Sequence, residues 1–209
     1  MRKRTSLVER KTKETDIKLS LTVDGSGKSK INTGIPFLDH MLESFSKHGL
    51  FDIHLKASGD MHVDSHHTNE DVGIALGEAF KIALGNKKAI RRFADFRAPL
   101  DEALSGVRLS LDLSGRGSCH FHTNAKTRWI DHPSLRATDV VKGYSFLDMR
   151  HFLESFSTHV GMTLHVDFVA GSQPHHVIEA TFKSLAKALD MACQLDPRVK
   201  DIPSTKGAL

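Results

Sequence analysis

"HMLESFSKH" at residues 40–48 returns as "HFLESFSTH" at residues 151–159, with seven of nine positions identical. In both copies the apolar residues recur at helical spacing: Leu38, Met41, Leu42 and Phe45 in the first, Phe152, Leu153 and Phe156 in the second. The match extends outward. "IKLSLTVDGSG" (17–27) resembles "VRLSLDLSGRG" (107–117), each alternating apolar and polar residues before breaking at glycines. That is a half-buried strand running into a turn. "FDIHLKA" (51–57) and "MTLHVDFV" (162–169) read as further strands. "HHTNEDVGIALGEAFKIAL" (66–84) and "HHVIEATFKSLAKALDMAC" (175–193) read as long amphipathic helices, each headed by His-His-x-x-Glu. Four matches in the same order make the chain a duplication.

The expected fold is therefore α+β: two similar sheet-plus-helix halves, residues 1–95 and 96–209, packed with pseudo-two-fold symmetry into one compact domain. The first strands of the two copies lie 90 residues apart, the helical segments 111 and 109. The difference implies an insertion in the second half around residues 118–145, polar in composition and read as an extended loop.

Composition is that of an ordinary soluble protein, 39% hydrophobic and 26% charged. No apolar run approaches the roughly 18 residues of a membrane span. The N-terminal "MRKRTSLVERKTKET" lacks the apolar core of a secretion signal, and Glu9 and Glu14 argue against an organellar leader, so a mature cytoplasmic chain is expected. Cys119 and Cys193 read as reduced thiols. Net charge +4 suits an anionic ligand. The basic residues are dispersed, with one Trp and one Tyr, so a small phosphorylated ligand fits better than nucleic acid.

Histidine is the outlier, fourteen in all. His66 with Glu70 and His175 with Glu179 are i, i+4 pairs that share a helix face. Imidazole with carboxylate suits Mn, Fe, Ni, Co or Zn rather than a thiolate centre. Neighbouring helical residues diverge by about 100°, so the two members of a doublet serve different ions. Two metals follow, each taking one histidine from each doublet, within one chain or between chains. His40 and His151 are natural completing ligands. His48, His54, His62, His120, His122, His132, His159 and His165 read as surface or hydrogen-bonded core residues.

With these residues in place, the chain resembles the imidazoleglycerol-phosphate dehydratase family over nearly its whole length. The motifs that carry the resemblance are "RKTKET" (10–15), "TGIPFLDHML" (33–42), "HHTNED" (66–71), "PLDEAL" (99–104), "DLSGR" (112–116), "HHVIEATFK" (175–183) and "PSTKG" (203–207). The resemblance implies a manganese enzyme of histidine biosynthesis with two Mn²⁺ per active site, assembled as a shell of 24 subunits with the sites between subunits. Carried over residue by residue, one metal takes His66, Glu70, His151 and His175, and the other His40, His67, His176 and Glu179. Arg92, Arg116, Ser204 and Lys206 are the implied phosphate contacts, the last two in a C-terminal substrate-binding tail. Guanidinium forks, an ammonium and a hydroxyl suit that role. Glu14 is the implied general acid/base, with Asp101 and Glu102 as secondary candidates that orient ligands or substrate. The chain departs from the family pattern in "GSQPHH" before the second doublet, in "SGRG", and in Ala94 within "RRFAD". No phosphatase domain is attached, so a monofunctional enzyme is expected.

The implied reaction removes water from D-erythro-imidazole-glycerol phosphate to give imidazole acetol phosphate. No carbonyl neighbours the carbon that loses its proton, so the imidazole ring must take the charge. Two metals on its nitrogens would favour an imidazolate and then a diazafulvene-like intermediate. The competing readings are a dinuclear metallohydrolase, which usually uses bridging carboxylates, and a metal-storing shell without catalysis.

Overall fold

The alternation and helical spacing resolve into two copies of one sheet-and-helix unit in the computed structural model, which describes residues 3–104, 108–122, 140–168 and 170–209. The first repeat comprises β1 (Thr5–Lys11), β2 (Thr15–Thr22), β3 (Ser29–Asn32), α1 (Pro36–Gly49), β4 (Asp52–Gly59) and α2 (His66–Leu84). The second comprises β5 (Phe93–Phe96), β8 (Arg108–Asp112), β9 (Ser118–His122), α3 (Phe146–Val160), β12 (Thr163–Asp167) and α4 (Pro174–Cys193). The second repeat also contains two short hairpins, β6 (Pro99–Leu100) with β7 (Ala103–Leu104), and β10 (Val140–Val141) with β11 (Tyr144–Ser145).

The sheets have orders β1-β2-β4-β3 and β5-β8-β12-β9. These are one topology twice over, antiparallel except for the last pair, where β3 runs parallel to β4 and β9 parallel to β12. Two expectations are corrected by this arrangement. Residues 118–122, read as part of an extended loop, form β9 and pair with β12 along its whole length. The boundary drawn between residues 95 and 96 falls inside β5, whose four residues all pair with β8. Residues 140–145 of the same stretch contain the β10–β11 hairpin, and residues 123–139, with His132, lie outside the described residues.

Each sheet carries its two helices on one face, and the helices pack crosswise, α2 on α3 and α1 on α4. The layers are sheet, helices, helices, sheet. The shared Leu-Glu-Ser-Phe-Ser segment forms this central interface: Leu42, Phe45 and Ser46 are buried in α1, and Leu153, Phe156 and Ser157 in α3. Phe45 and Phe156, the same residue of the two copies, meet edge to face at 6.3 Å between ring centroids. Phe51, Phe80, Phe152 and Phe182 complete an aromatic core. Each such side chain contributes roughly 1.5–3 kcal/mol by leaving water.

The helix ends are locally encoded. Ser145 and Asp148 form a capping box on α3. Pro174 opens α4 in its first turn, where a missing N–H costs nothing. "GSQPHH" is therefore a sound helix start, and the second doublet sits in that turn as the first does in α2. Among the described residues no helix is long and apolar enough to cross a membrane.

Candidate active site

His66, Glu70, Gly73 and Gly77 lie on one stripe of α2, and that stripe faces α3. The glycines set the approach. A Cβ on Gly73 would lie 2.9 Å from the Phe152 carbonyl oxygen, and one on Gly77 would lie 2.7 Å from that of Phe156. Asn69 fixes the register, its amide donating to the Asp148 carbonyl at 2.8 Å while the buried Tyr144 hydroxyl donates to its oxygen. This close crossing brings His151 Nδ1 to 3.2 Å from His66 Nδ1, with Glu70 Oε2 3.6 Å from His66 Nε2. The three line an open cavity of about 410 Å³ together with Glu154, Thr158 and His159.

The second crossing repeats the pattern with the roles of the halves exchanged. His175 Nε2 lies 3.2 Å from Glu179 Oε2, and His40 Nε2 lies 3.6 Å from the same oxygen. The ligand atoms of these three residues all lie within 4.8 Å of one another. Burial would raise the Glu179 pKa, but Lys183 at 2.7 Å, with His40 and His175, outweighs it and holds the carboxyl below its ordinary value. The resemblance groups His175 with His66, Glu70 and His151; within the single chain His175 lies beside His40 and Glu179, because its i, i+4 partner is Glu179 and their shared stripe faces α1.

The remaining doublet histidines turn away from both groups, as adjacent helical positions must. His67 Nδ1 contacts the Asp60 carboxylate at 3.1 Å and lies 4.0 Å from Glu14. His176 Nδ1 contacts Glu102 at 2.9 Å, and its Nε2 lies 3.8 Å from Asp101. The hydrogen bond to Asp60 raises the His67 pKa, and the one to His176 lowers that of Glu102. The two carboxylates are not duplicates: Asp60 follows β4, whereas Glu102 lies in the β6–β7 turn. One arrangement, a carboxylate gripping the second histidine, has been reached from inequivalent positions.

Glu14 owes its place to a clamp. Arg10 binds Asp71 of α2 at 2.8 Å, and the Thr15 hydroxyl donates to the same carboxylate. Glu14 is held between them, its carbonyl accepting the Asp60 N–H at 3.1 Å. Lys11 pairs with Asp16 and not with Glu14.

Arg92 is engaged bidentately by Asp112, at 2.7 and 3.1 Å, and donates to the Pro203 carbonyl at 2.7 Å. It thereby anchors the start of "PSTKG". The tail ends against the turn before Arg116, where a Cβ on Gly115 would meet the Leu209 carbonyl carbon at 2.5 Å. Ser204 and Lys206 thus lie on a segment strung between Arg92 and the Arg116 turn. Gly117 abuts Thr158, a lining residue of the first cavity, and any side chain there would strike the α3 backbone. The departure "SGRG" fits this contact.

A family model described as imidazoleglycerol-phosphate dehydratase matches residues 33–189. The chain belongs to the imidazoleglycerol-phosphate dehydratase family. Curated relatives of that name include those of Prochlorococcus marinus strain AS9601, 50% identical over 99% of this chain and 96% of its own, and Thermoanaerobacter pseudethanolicus, 51% identical over 97% of both. The chloroplastic enzyme of Pisum sativum is 50% identical over 97% of this chain and 68% of its own. Among solved structures, the Pyrococcus furiosus dehydratase in complex with (S)-C348 superposes with a TM-score of 0.77, at 30% identity over 97% of this chain and all of that one. The Staphylococcus aureus dehydratase gives 0.76 at 28% identity, over 92% and 99%. The chain is accordingly an enzyme, a hydro-lyase of histidine biosynthesis.

Around these groups the structure places residues that the sequence did not single out. Asp60 could be read only as a loop acid, since nothing in its spacing ties it to His67. Glu154 and His159 line the first cavity. His159 also bonds the Ser155 carbonyl at 2.8 Å, so its structural reading holds in part. Both cysteines are free, their thiols pushed up to about 12 chiefly by burial, which removes them from nucleophilic chemistry at neutral pH.

Proposed function

We propose that this dehydratase converts D-erythro-imidazole-glycerol phosphate to imidazole acetol phosphate with two Mn²⁺ per site, in a 24-subunit homo-oligomer whose subunits complete one another's sites. The observation that carries this reading is the pair of three-donor groups, His66–Glu70–His151 and His40–His175–Glu179, each built from both halves. Their donors fit a hard-to-borderline divalent ion: two imidazoles and one carboxylate apiece, with the ligand atoms of the His40 group within 4.8 Å of one another. His66 meets His151 through Nδ1 and Glu70 through Nε2, so its ring must turn to share one ion with both. Each group lacks a fourth donor. A doublet cannot put both members on one ion, so His176 completes the His66 group and His67 the His40 group, each from a neighbouring subunit. This supports an assembly in which metal binding and subunit contact are one event. Bound there, divalent ions would supply Lewis-acid stabilisation of charge developing on the substrate imidazole.

The protein's own groups do the rest. Asp60 and Glu102 hold Nδ1 of His67 and His176, fixing the ring orientation and leaving Nε2 to ligate. Arg92, Arg116, Ser204 and Lys206 bind the phosphate, and Arg92 also holds the tail that carries the last two. Glu14, exposed beside His67, moves the proton at the reacting carbon. Free thiols and the bacterial relatives support a cytoplasmic setting.

The test is ketone formation from imidazole-glycerol phosphate by manganese-loaded protein, with elemental analysis of the same sample. Turnover with two ions per chain is expected. Glu14→Gln should lose about 10²–10⁴-fold in kcat with metal content unchanged. Full loading without turnover would refute the reading, and an unimpaired Glu14→Gln enzyme would remove Glu14 from its role.

A further inference from the structure

A second group of histidines stands apart from the doublets, on the outer face of the second sheet. β9 and β12 are parallel neighbours in a register that sets His120 opposite His165 and His122 opposite Asp167. Residues two apart in a strand share a face, so three imidazoles and a carboxylate form a two-by-two array facing away from the helices. His122 Nε2 lies 2.7 Å from His165 Nδ1, the two rings inclined by only 2°. The His120 ring stacks on that of His165 at 4.8 Å between centroids.

The duplication supplies an internal reference. In the first sheet the register pairs Lys30 with His54 and Asn32 with Lys56, on the strands and face that correspond. Two ammonium groups there repel a cation, and only one imidazole is offered. The second sheet has a neutral or anionic donor at all four places. Shared ancestry predicts similar residues, and the sequence has instead diverged towards metal-ligand chemistry.

We propose that His120, His122, His165 and Asp167 bind one divalent transition ion of the borderline class, Zn²⁺ or Ni²⁺, separately from the dehydration site. Imidazole nitrogens are the preferred donors of such ions, which are satisfied by three nitrogens and one oxygen. Metal–nitrogen bonds of roughly 2.0–2.1 Å in tetrahedral geometry separate two ligand nitrogens by about 3.3 Å. When an ion replaces the proton between the rings, the His122–His165 nitrogens separate by little more than half an ångström and the two near-coplanar rings tilt so that both lone pairs meet at the ion. Both rings sit on the solvent face of their strands, where rotation about χ1 and χ2 supplies that movement. His120, stacked on His165, and Asp167, opposite His122 in the register, swing their side chains in to provide the third and fourth donors.

The test compares wild-type protein with the double variant His122→Asn/His165→Asn and the single variant His120→Asn, titrated with Zn²⁺ and with Ni²⁺ after manganese loading. Uptake is read by elemental analysis and the first-coordination shell by X-ray absorption at the Zn edge. The wild type should take up one ion per chain more than the double variant, with histidine scattering in its spectrum. His120→Asn should bind that ion at least tenfold more weakly. Dehydratase turnover and thermal unfolding of metal-free protein should match across all three, since none of these side chains belongs to the proposed active site or to the core. Equal uptake by the wild type and the double variant would overturn the proposal, as would an extra ion whose affinity is the same in all three proteins.

Discussion

The two helix crossings at the centre of the molecule assemble one set of side chains with different packing. In both, a doublet histidine and its i+4 glutamate on one helix face a single histidine from the other half. Seven and eleven residues past the first doublet histidine, however, α2 has Gly73 and Gly77 where α4 has Phe182 and Ala186. The α2 backbone therefore touches that of α3, and His66 and His151 come within 3.2 Å. At the α1–α4 crossing the His40 and His175 rings stand further apart, 5.9 Å between centroids against 4.7 Å for His66 and His151, and Lys183 pairs with the glutamate that gathers them. Backbone approach sets one donor group and a charge network sets the other. Duplication preserved the placement of these histidines and glutamates while the means of holding them diverged.

That contrast can be broken first at Gly77. Gly77→Val places a branched side chain where even a Cβ lies 2.7–2.9 Å from α3 backbone atoms. It should cost about 2–3 kcal/mol by overpacking and abolish metal binding at the His66 group only. Ala186→Gly, at the corresponding place, should cost about 1 kcal/mol through helix propensity and leave both groups loaded. Urea unfolding with elemental analysis reads both, and equal effects would remove the distinction between the crossings.

A smaller effect is expected at the carboxylates behind the second histidines. Asp60→Asn and Glu102→Gln should each weaken Mn²⁺ binding by about 10–100-fold at one metal position without unfolding the chain. Isothermal titration resolves which, and a loss shared equally by both positions would contradict the separate grips.

The smallest effect lies at the outer edge of the first sheet. Arg4 binds Asp24 at 2.6 Å and the Cys193 carbonyl at 2.7 Å, tying β1 to the end of α4. The Arg4 hydrogen bond holds the Asp24 carboxyl below its ordinary value. A depressed carboxylate adds stability above the unfolded pKa and loses it as pH falls through the folded one. Arg4→Ala should therefore cost under about 1 kcal/mol at neutral pH, and the two proteins should converge in acid, below about pH 4. A difference that grows on acidification would reverse the sign.

Most of this architecture was legible because its signals are local and periodic. The doublet helices, the strand alternation and the repeat itself needed no tertiary information. β1 escaped because it is an edge strand: among its seven residues only Val8 is buried, and Leu7 is 68% exposed, so no clean alternation marks it. β9 escaped because its outward histidines read as loop residues, although its register with β12 is regular. The histidines and glutamates that the structure brings together stand out in the sequence by type and spacing. Which of them lie side by side within one chain does not, because which face of α4 meets α1 depends on the crossing of helices more than a hundred residues apart. Asp60 and Glu102 show the limit most plainly, since a carboxylate that grips a histidine from an unrelated loop leaves no periodic trace.

The central claim, that each crossing nucleates its own metal, is tested most directly by anomalous diffraction at the manganese edge from crystals of the loaded protein. The account predicts two peaks per chain. One should be bound by His66, Glu70, His151 and a neighbouring copy's His176, the other by His40, His175, Glu179 and a neighbouring copy's His67. A single peak, or one that joins His175 to His66, would contradict it.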